Sequence, residues 1–401
     1  MAKRTIEQVD VKHKRVLMRV DFNVPIDNGR ITDDTRIKAA LPSIRSVIDR
    51  GGRLILMSHL GRPEGEGFEA KHSLRPVAER LSELLGRPVT VPSENPASSE
   101  SEKAADAMED GDVVLLENLR FSKGEKNGDP AFAATLASMG EIYVNDAFGT
   151  SHRDDASMVA LPQAMEGRPR VAGLLLEKEL DFLARKLADP ERPYVAVLGG
   201  AKVSDKIGAV EHLIPRTDHL LIGGAMAYTF LKALGKNVGD SRVEADRVAD
   251  AKRMLELAAH KSCDLHLPID HVCSTQFASS SGDVKVFKDQ IEPGFMGLDI
   301  GPESQTRFAG VIENARTVVW NGPMGVFEWP PFAVGTGSVA RAIAKATDAG
   351  ALTIVGGGDT ASAVAAFGIA DRVSHVSTGG GASLAMIAAE TLESVELLDD
   401  A

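Results

Sequence analysis

The chain runs to 401 residues, which at about 150 residues per domain predicts two or three domains. With 43% hydrophobic and 25% charged residues it has the balance of a soluble globular protein, not a disordered one. A formal net charge of -12 excludes a generally basic surface, so neither nucleic acid nor a membrane is expected as a partner. An anionic ligand would therefore need a positive site built locally from a few residues.

The two cysteines, Cys263 and Cys273, form no CxxC pair and have no His/Cys cluster at zinc spacing around them, so they read as buried thiols in a reducing compartment. The first ten residues are charged and lack the apolar core of a secretory signal. No uncharged apolar run approaches the ~18 residues that span a bilayer, and a cytoplasmic location is expected.

In chain order, short apolar runs end repeatedly in polar or glycine-rich turns. The first half carries RVLMRVDF (15–22), RLILMSHL (53–60), VTV (89–91), VVLLENL (113–119) and IYVNDAF (142–148). The second half carries YVAVL (194–198), HLLI (219–222), LHLPIDHV (265–272), TVVW (317–320) and LTIV (352–355). Most are continuous, not alternating, as in strands buried on both faces of a parallel sheet. Helical spacing separates them: Ile37, Leu41, Ile44, Val47 and Ile48 in 34–50, with Pro42 a kink or a late start, then 74–85, 245–260 and 339–347. The amphipathic segment GLLLEKELDFLARKLA (173–188), followed by Asp-Pro and Arg-Pro, marks a boundary between two α/β halves.

In open α/β sheets ligands bind beyond the carboxyl ends of the strands. In the first half those positions hold Asp21, Asn23, His59, Arg62, Arg120, Asn145 and Asp146, with Arg36 at a helix start and Arg153 just beyond. Singly, each arginine reads as a surface residue, His59 as structural, and Asp21 and Asn23 as turn formers. Together at one sheet edge, the guanidinium forks suit a small molecule bearing carboxylate and phosphate. In the second half the strand ends read LGGAKVSDK (198–206), IGGAM (222–226), NGPMGVFE (321–328), VGGGDT (355–360) and STGGGAS (377–383). Glycine permits close backbone approach and helix N-termini offer N–H groups to anions, so the set reads as a phosphate and nucleotide site. Neither a Walker motif nor a complete dinucleotide fingerprint is present. Lys202 and Lys206 are expected on one face of a starting helix; Asp359 is placed to hold Mg2+, or else to cap a helix with Thr360.

These segments, with DDTRI (33–37) and GFMGLDIGP (294–302), occur in an order that resembles the phosphoglycerate kinase family along the whole chain. The resemblance implies a bilobed fold of two Rossmann-like parallel-sheet α/β domains joined by a helix, with the C-terminal segment (393–401) returning to the N-terminal lobe. It implies an acid-substrate domain at 1–173, an interdomain helix at 174–189, a nucleotide domain at 190–389 and a returning segment at 390–401. It implies a 3-phosphoglycerate site of Asp21, Phe22, Asn23, Arg36, His59, Leu60, Gly61, Arg62, Arg120 and Arg153. The implied ATP/ADP site comprises Lys202, Gly297, Glu328, Gly357, Gly358, Asp359 and Thr360, with Asp359 on Mg2+ and Glu328 on the ribose hydroxyls. Arg36, Lys206, Gly379 and Gly380 are expected to act on the moving phosphoryl group. Phe295 stands where many members have Trp. The implied activity is a monomeric glycolytic kinase with a carboxylate acceptor, which needs no general base. Two alternatives remain at this stage: a dinucleotide-dependent oxidoreductase and a non-catalytic binder of anionic metabolites.

Overall fold

The computed structural model describes residues 2–280 and 282–401. The chain divides into two compact units, the first comprising 1–181 with 391–401 and the second 182–390.

The first unit is built on six parallel strands in the order Val89–Thr90, Val113–Leu115, Arg53–Met57, Arg15–Val20, Ile142–Asp146, Arg170–Ala172. Strand Arg15–Val20 lies at the centre because its residues from Val16 onward are buried on both faces. The chain adds strands on one side of it, then crosses to Ile142–Asp146 on the other, and in open α/β sheets such a reversal is where ligands bind. Helix Thr35–Ile48 covers one face through Ile37, Ile44, Val47 and Ile48. It begins at Thr35 and runs through Pro42, so the late start is excluded. The C-terminal segment is fastened to this unit: Lys3 Nζ donates to Leu398 O at 3.0 Å, Arg4 N to Asp399 O at 2.8 Å, and Ser394 Oγ to Ser151 O at 2.8 Å.

The second unit repeats the plan with six parallel strands in the order Asp264–His266, His219–Ile222, Tyr194–Leu198, Thr317–Asn321, Leu352–Gly356, His375–Val376. The segment 265–272, read as one strand, is two. Pro268 cannot donate to a ladder, and the chain leaves the large sheet there. Asp270–Ser274 instead joins Val284–Lys288 and Met296–Ile300 in a separate antiparallel sheet.

The amphipathic segment starts as helix Leu174–Leu180, its first N–H groups taken by Ser43 Oγ at 2.8 Å and Asp146 Oδ1 at 2.9 and 3.2 Å. It widens into a π turn at Asp181–Arg185 before Lys186–Ala188, and the division between the units falls at that turn.

Candidate active site

In the first unit the strand ends gather a positive cluster. Arg19 is fully buried on the central strand and donates from Nε to Ser157 Oγ at 2.8 Å, from Nη1 to Val20 O, and from Nη2 to His59 Nδ1 at 3.1 Å. Burial, followed by the charges of Arg19, Arg120, Arg153 and Arg36, holds His59 well below the usual imidazole range. The ring is therefore neutral. A guanidinium only donates, so Nδ1 accepts and the ring proton resides on Nε2. Behind Arg19, the carboxylate of Glu125 lies 4.0 Å from Nη2 and accepts from Ser157 N at 2.9 Å and Ser157 Oγ at 2.6 Å. Burial raises the Glu125 pKa, and Arg19 opposes that rise.

Arg36 Nη1 donates to Asp21 Oδ2 and to Asn23 O, both at 3.1 Å, which fixes one side of its fork. Asn23 Oδ1 accepts from Gly61 N at 2.9 Å. Arg120 donates to Gly61 O at 3.1 Å and to Asp155 Oδ2 at 3.3 Å. Gly61 has φ +63, and a Cβ there would lie 2.5 Å from His72 Nδ1, so a side chain at this turn would be strained. Asn118 clamps Leu60 from both sides, accepting from its N–H at 3.2 Å and donating to its carbonyl at 2.7 Å. The side chains of Phe22 and Leu60 are buried, Phe22 N donates to Ser58 Oγ at 2.9 Å, and both backbone groups of Leu60 are held by Asn118. Arg62 and Arg153 are exposed. Sequence reasoning missed Arg19, Glu125, Asn118 and Asp155; only the charge inside an otherwise apolar strand hinted at Arg19.

In the second unit the five glycine-rich turns follow five adjacent strands. Several of their glycines serve contact between the turns. Gly200 N donates to Pro323 O at 2.9 Å and Gly224 N to Met324 O at 3.1 Å. A Cβ on Gly199 would stand 2.1 Å from Pro323 O, and one on Gly322 2.3 Å from Gly199 O. Gly358 and Gly380, by contrast, face open space. Gly357 (φ +93) precedes helix Gly358–Ala366, and Asp359 lies exposed in its first turn. Thr360 does not cap that helix; it is buried and its Oγ1 accepts from Gly322 N at 2.7 Å, tying two turns together. Gly379 donates to Ser377 Oγ at 3.1 Å, and Gly380 precedes helix Gly381–Ile387.

The two lysines do not share a helix face. The helix spans Ile207–Leu213, after Lys206, and Lys202 lies exposed in the loop before it. In that loop Glu244 accepts Val203 N, Ser204 N (3.1 Å) and Ser204 Oγ (2.6 Å). Lys206 Nζ donates to Asn321 Oδ1. Burial lowers its pKa to about 8, against the opposing charges of Asp205 and Asp359. Asn321 Nδ2 is buried without a hydrogen-bond partner beside Gly357, a residue the sequence reading did not single out.

A cavity of about 460 Å³ opens beside these turns, and Gly297, Glu328 and Asp359 line it along with Gly200, Phe277, Asp299 and Arg242. Lys202, Lys206, Gly357, Gly358 and Thr360 stand outside its lining. The Asp299 carboxyl is pushed up to about 7 by burial, although Gly335 N donates to it at 2.7 Å. Asp359 suits Mg2+, which is held by one or two carboxylates together with substrate phosphates; its carboxylate is exposed at the cavity wall.

An arginine-lined sheet edge in one unit and a glycine-walled cavity in the other define a two-domain α/β phosphotransferase. The family model described as phosphoglycerate kinase matches residues 6–390. A phosphoglycerate kinase of Rhodopirellula baltica is 55% identical over the whole of both chains, and one of Thermosipho africanus is 54% identical over 99% of this chain and 96% of its own. Solved phosphoglycerate kinases from Coxiella burnetii (38% identical, TM-score 0.88) and Pyrococcus horikoshii (32%, 0.84) each match over 98% of both chains. The chain belongs to the phosphoglycerate kinase family. It is an ATP-dependent phosphotransferase, and the oxidoreductase and non-catalytic alternatives fall away.

Proposed function

We propose that the chain catalyses reversible phosphoryl transfer between 1,3-bisphosphoglycerate with ADP and 3-phosphoglycerate with ATP. The observation that carries this reading is the set of guanidiniums around the neutral His59, at the end of a sheet in a chain of net charge -12. That cluster supplies a local positive site for an acid bearing both carboxylate and phosphate. Asp21 orients Arg36, leaving the rest of its fork for the substrate carboxylate and the phosphoryl group in flight. Arg120, Arg153, Arg62 and the Nε2–H of His59 bind the remaining anionic oxygens, with Asn23 and Gly61 shaping the turn between them.

On the second unit, Glu328 and Gly297 would take the nucleoside and Lys202 the nucleotide phosphates. In the turn from Gly357 to Thr360, Asp359 would hold the cation. Mg2+, when bound there with the nucleotide, neutralises phosphate charge. Lys206 follows the transferring group, and the N–H groups after Gly379 and Gly380 stabilise its equatorial oxygens. The acceptor carboxylate is ionised at neutral pH, so alignment and charge neutralisation suffice. In-line transfer requires reacting atoms about 3–3.5 Å apart, so the units must close on each other during turnover. The π turn at Asp181–Arg185 and the segment near Thr378 are the candidate hinges. Residues 1–173 would form the acid domain, 174–189 the connecting helix, 190–389 the nucleotide domain and 390–401 the brace.

Among the described residues no helix is long and apolar enough to cross a membrane. Action as a cytoplasmic monomer is part of this reading, and sedimentation would check the oligomeric state. The test of function is ADP release from MgATP and 3-phosphoglycerate in a coupled assay. Binding of both without ADP formation would refute the reading.

A further inference from the structure

At the far end of strand His219–Ile222 from the turn at Gly223, three potential metal ligands converge. The strand pairs in parallel with the edge strand Asp264–His266, with His219 beside Asp264 and Leu221 beside His266. Side chains two apart on a strand share a face, so Asp264 and His266 point the same way as His219. His266 Nε2 lies 3.3 Å from His219 Nδ1, and Asp264 Oδ2 lies 3.5 Å from the same nitrogen. All three ligand atoms fall within 4.8 Å of one another. A tetrahedral ion with ligands at about 2.0–2.1 Å sets neighbouring ligands about 3.3–3.4 Å apart. One edge of the trio, at 3.3 Å, already has that length, and a second, at 3.5 Å, lies within about 0.2 Å of it.

We propose that His219, Asp264 and His266 form a binding site for a zinc-class divalent ion, separate from the cation site of the nucleotide. Two imidazoles and one carboxylate favour a borderline transition ion over Mg2+, which prefers oxygen. His266 is buried, at 9% exposed, while His219 is half-buried and Asp264 exposed. The exposed Asp264 is free to swing in, and a fourth position stays open to water.

Two features limit the affinity. Arg307 places a positive charge near His266, and His266 Nδ1 is buried with no hydrogen-bond partner. A metal-binding imidazole without such a partner is roughly 10–100-fold weaker than a supported one. The bound ion would staple a three-residue edge strand to its neighbour. In sequence, 44 residues or more separate His219 from its partners, which hides the trio from any spacing motif.

The experiment titrates untagged, chelator-treated protein with Zn2+ by calorimetry and with Co2+ by visible absorption, with excess MgADP to occupy the nucleotide site. The expected result is a single equivalent bound, four-coordinate cobalt absorption and a Zn2+-dependent rise in the thermal midpoint. His219→Ala and Asp264→Asn should each weaken binding about tenfold or more and abolish the thermal rise, with phosphoryl-transfer activity unchanged. Equal affinity in parent and both variants would place the ion elsewhere and overturn the proposal. So would absence of binding, since a hydrogen bond between the two imidazoles then accounts for the distances.

Discussion

Arg19→Met removes a cation that sits wholly inside the first unit. Three hydrogen bonds go with it, to Ser157 Oγ (2.8 Å), His59 Nδ1 (3.1 Å) and Val20 O, together with the charge facing Glu125 at 4.0 Å. Methionine approximates the volume, so the loss is electrostatic more than steric. Breaking a buried pair from one side costs about 3–5 kcal/mol, because the remaining charge stays buried. That remaining charge is Glu125, whose pKa burial already raises and whose ionised form Arg19 supports. Without Arg19 the pKa rises further. A carboxyl whose folded pKa is raised stabilises the fold below its unfolded value, and that stability is lost as pH rises through the folded value. The deficit should therefore be small near pH 5 and grow toward pH 8. Replacing Glu125 by Gln in the same chain removes the stranded charge and should recover at least half of it. Urea unfolding, with hydrogen exchange in strand Arg15–Val20 reporting on the first unit, measures all of this. The tautomer of His59 loses its guide as well, so the KM for the acid should rise in Arg19→Met. A deficit that is the same at pH 5 and pH 8, or a double variant less stable than the single, would refute the buried-pair account.

Lys206→Ala should cost about 10²–10³ in kcat, the usual loss on removing a preorganised donor. The Lys206 ammonium loses its proton above about 8, so kcat/KM should fall as pH rises through that value, with the limb displaced upward once nucleotide phosphates bind. A flat profile to pH 9 would assign the charge elsewhere. Thr360→Val strands the buried Gly322 N–H, at about 1–3 kcal/mol of stability; Thr360→Ser should restore both the melting midpoint and the KM for MgADP. Burial pushes the Asp146 carboxyl up to about 6 from 3.8, which opposes folding once it ionises. As pH rises from 4 to 7, the stability of Asp146→Asn should gain on the parent by on the order of 3 kcal/mol. A constant difference between the two chemical-denaturation curves would remove the titration from Asp146.

The long strands are legible because a strand buried on both faces needs unbroken apolar residues, as in 15–20 and 194–198. Strands Arg170–Ala172 and His375–Val376 are too short to write such a signal, and register against a neighbour defines them. The run 265–272 misleads because its apolar residues serve two sheets, with Pro268 at the change. Site residues following strand ends were found because topology converts sequence position into a shared edge. Arg19, Glu125 and Ser157 were not, since Arg19 meets the other two across more than a hundred residues of chain. The lysine pair failed for a similar reason: the segment before the helix is bound to Glu244, 40 residues from Ser204.

The carboxylates around the first site argue for the kind of acceptor it takes. A hydroxyl acceptor requires a nearby base able to receive its proton. Asp21 is held by Arg36 and Asp155 by Arg120. Asp146 accepts the first N–H groups of helix Leu174–Leu180, and Glu117 accepts Leu74 N at 2.6 Å and Ser73 Oγ at 2.7 Å. Glu125 is sealed behind Arg19. His59 is a further base at the site, yet its Nδ1 faces a guanidinium and its Nε2 already carries the proton. Each of these groups is thus committed to holding an arginine, a helix start or a turn. Such a site can bind and align an acceptor but is poorly equipped to ionise one. A carboxylate, ionised before it arrives, is the acceptor that this distribution of charge serves.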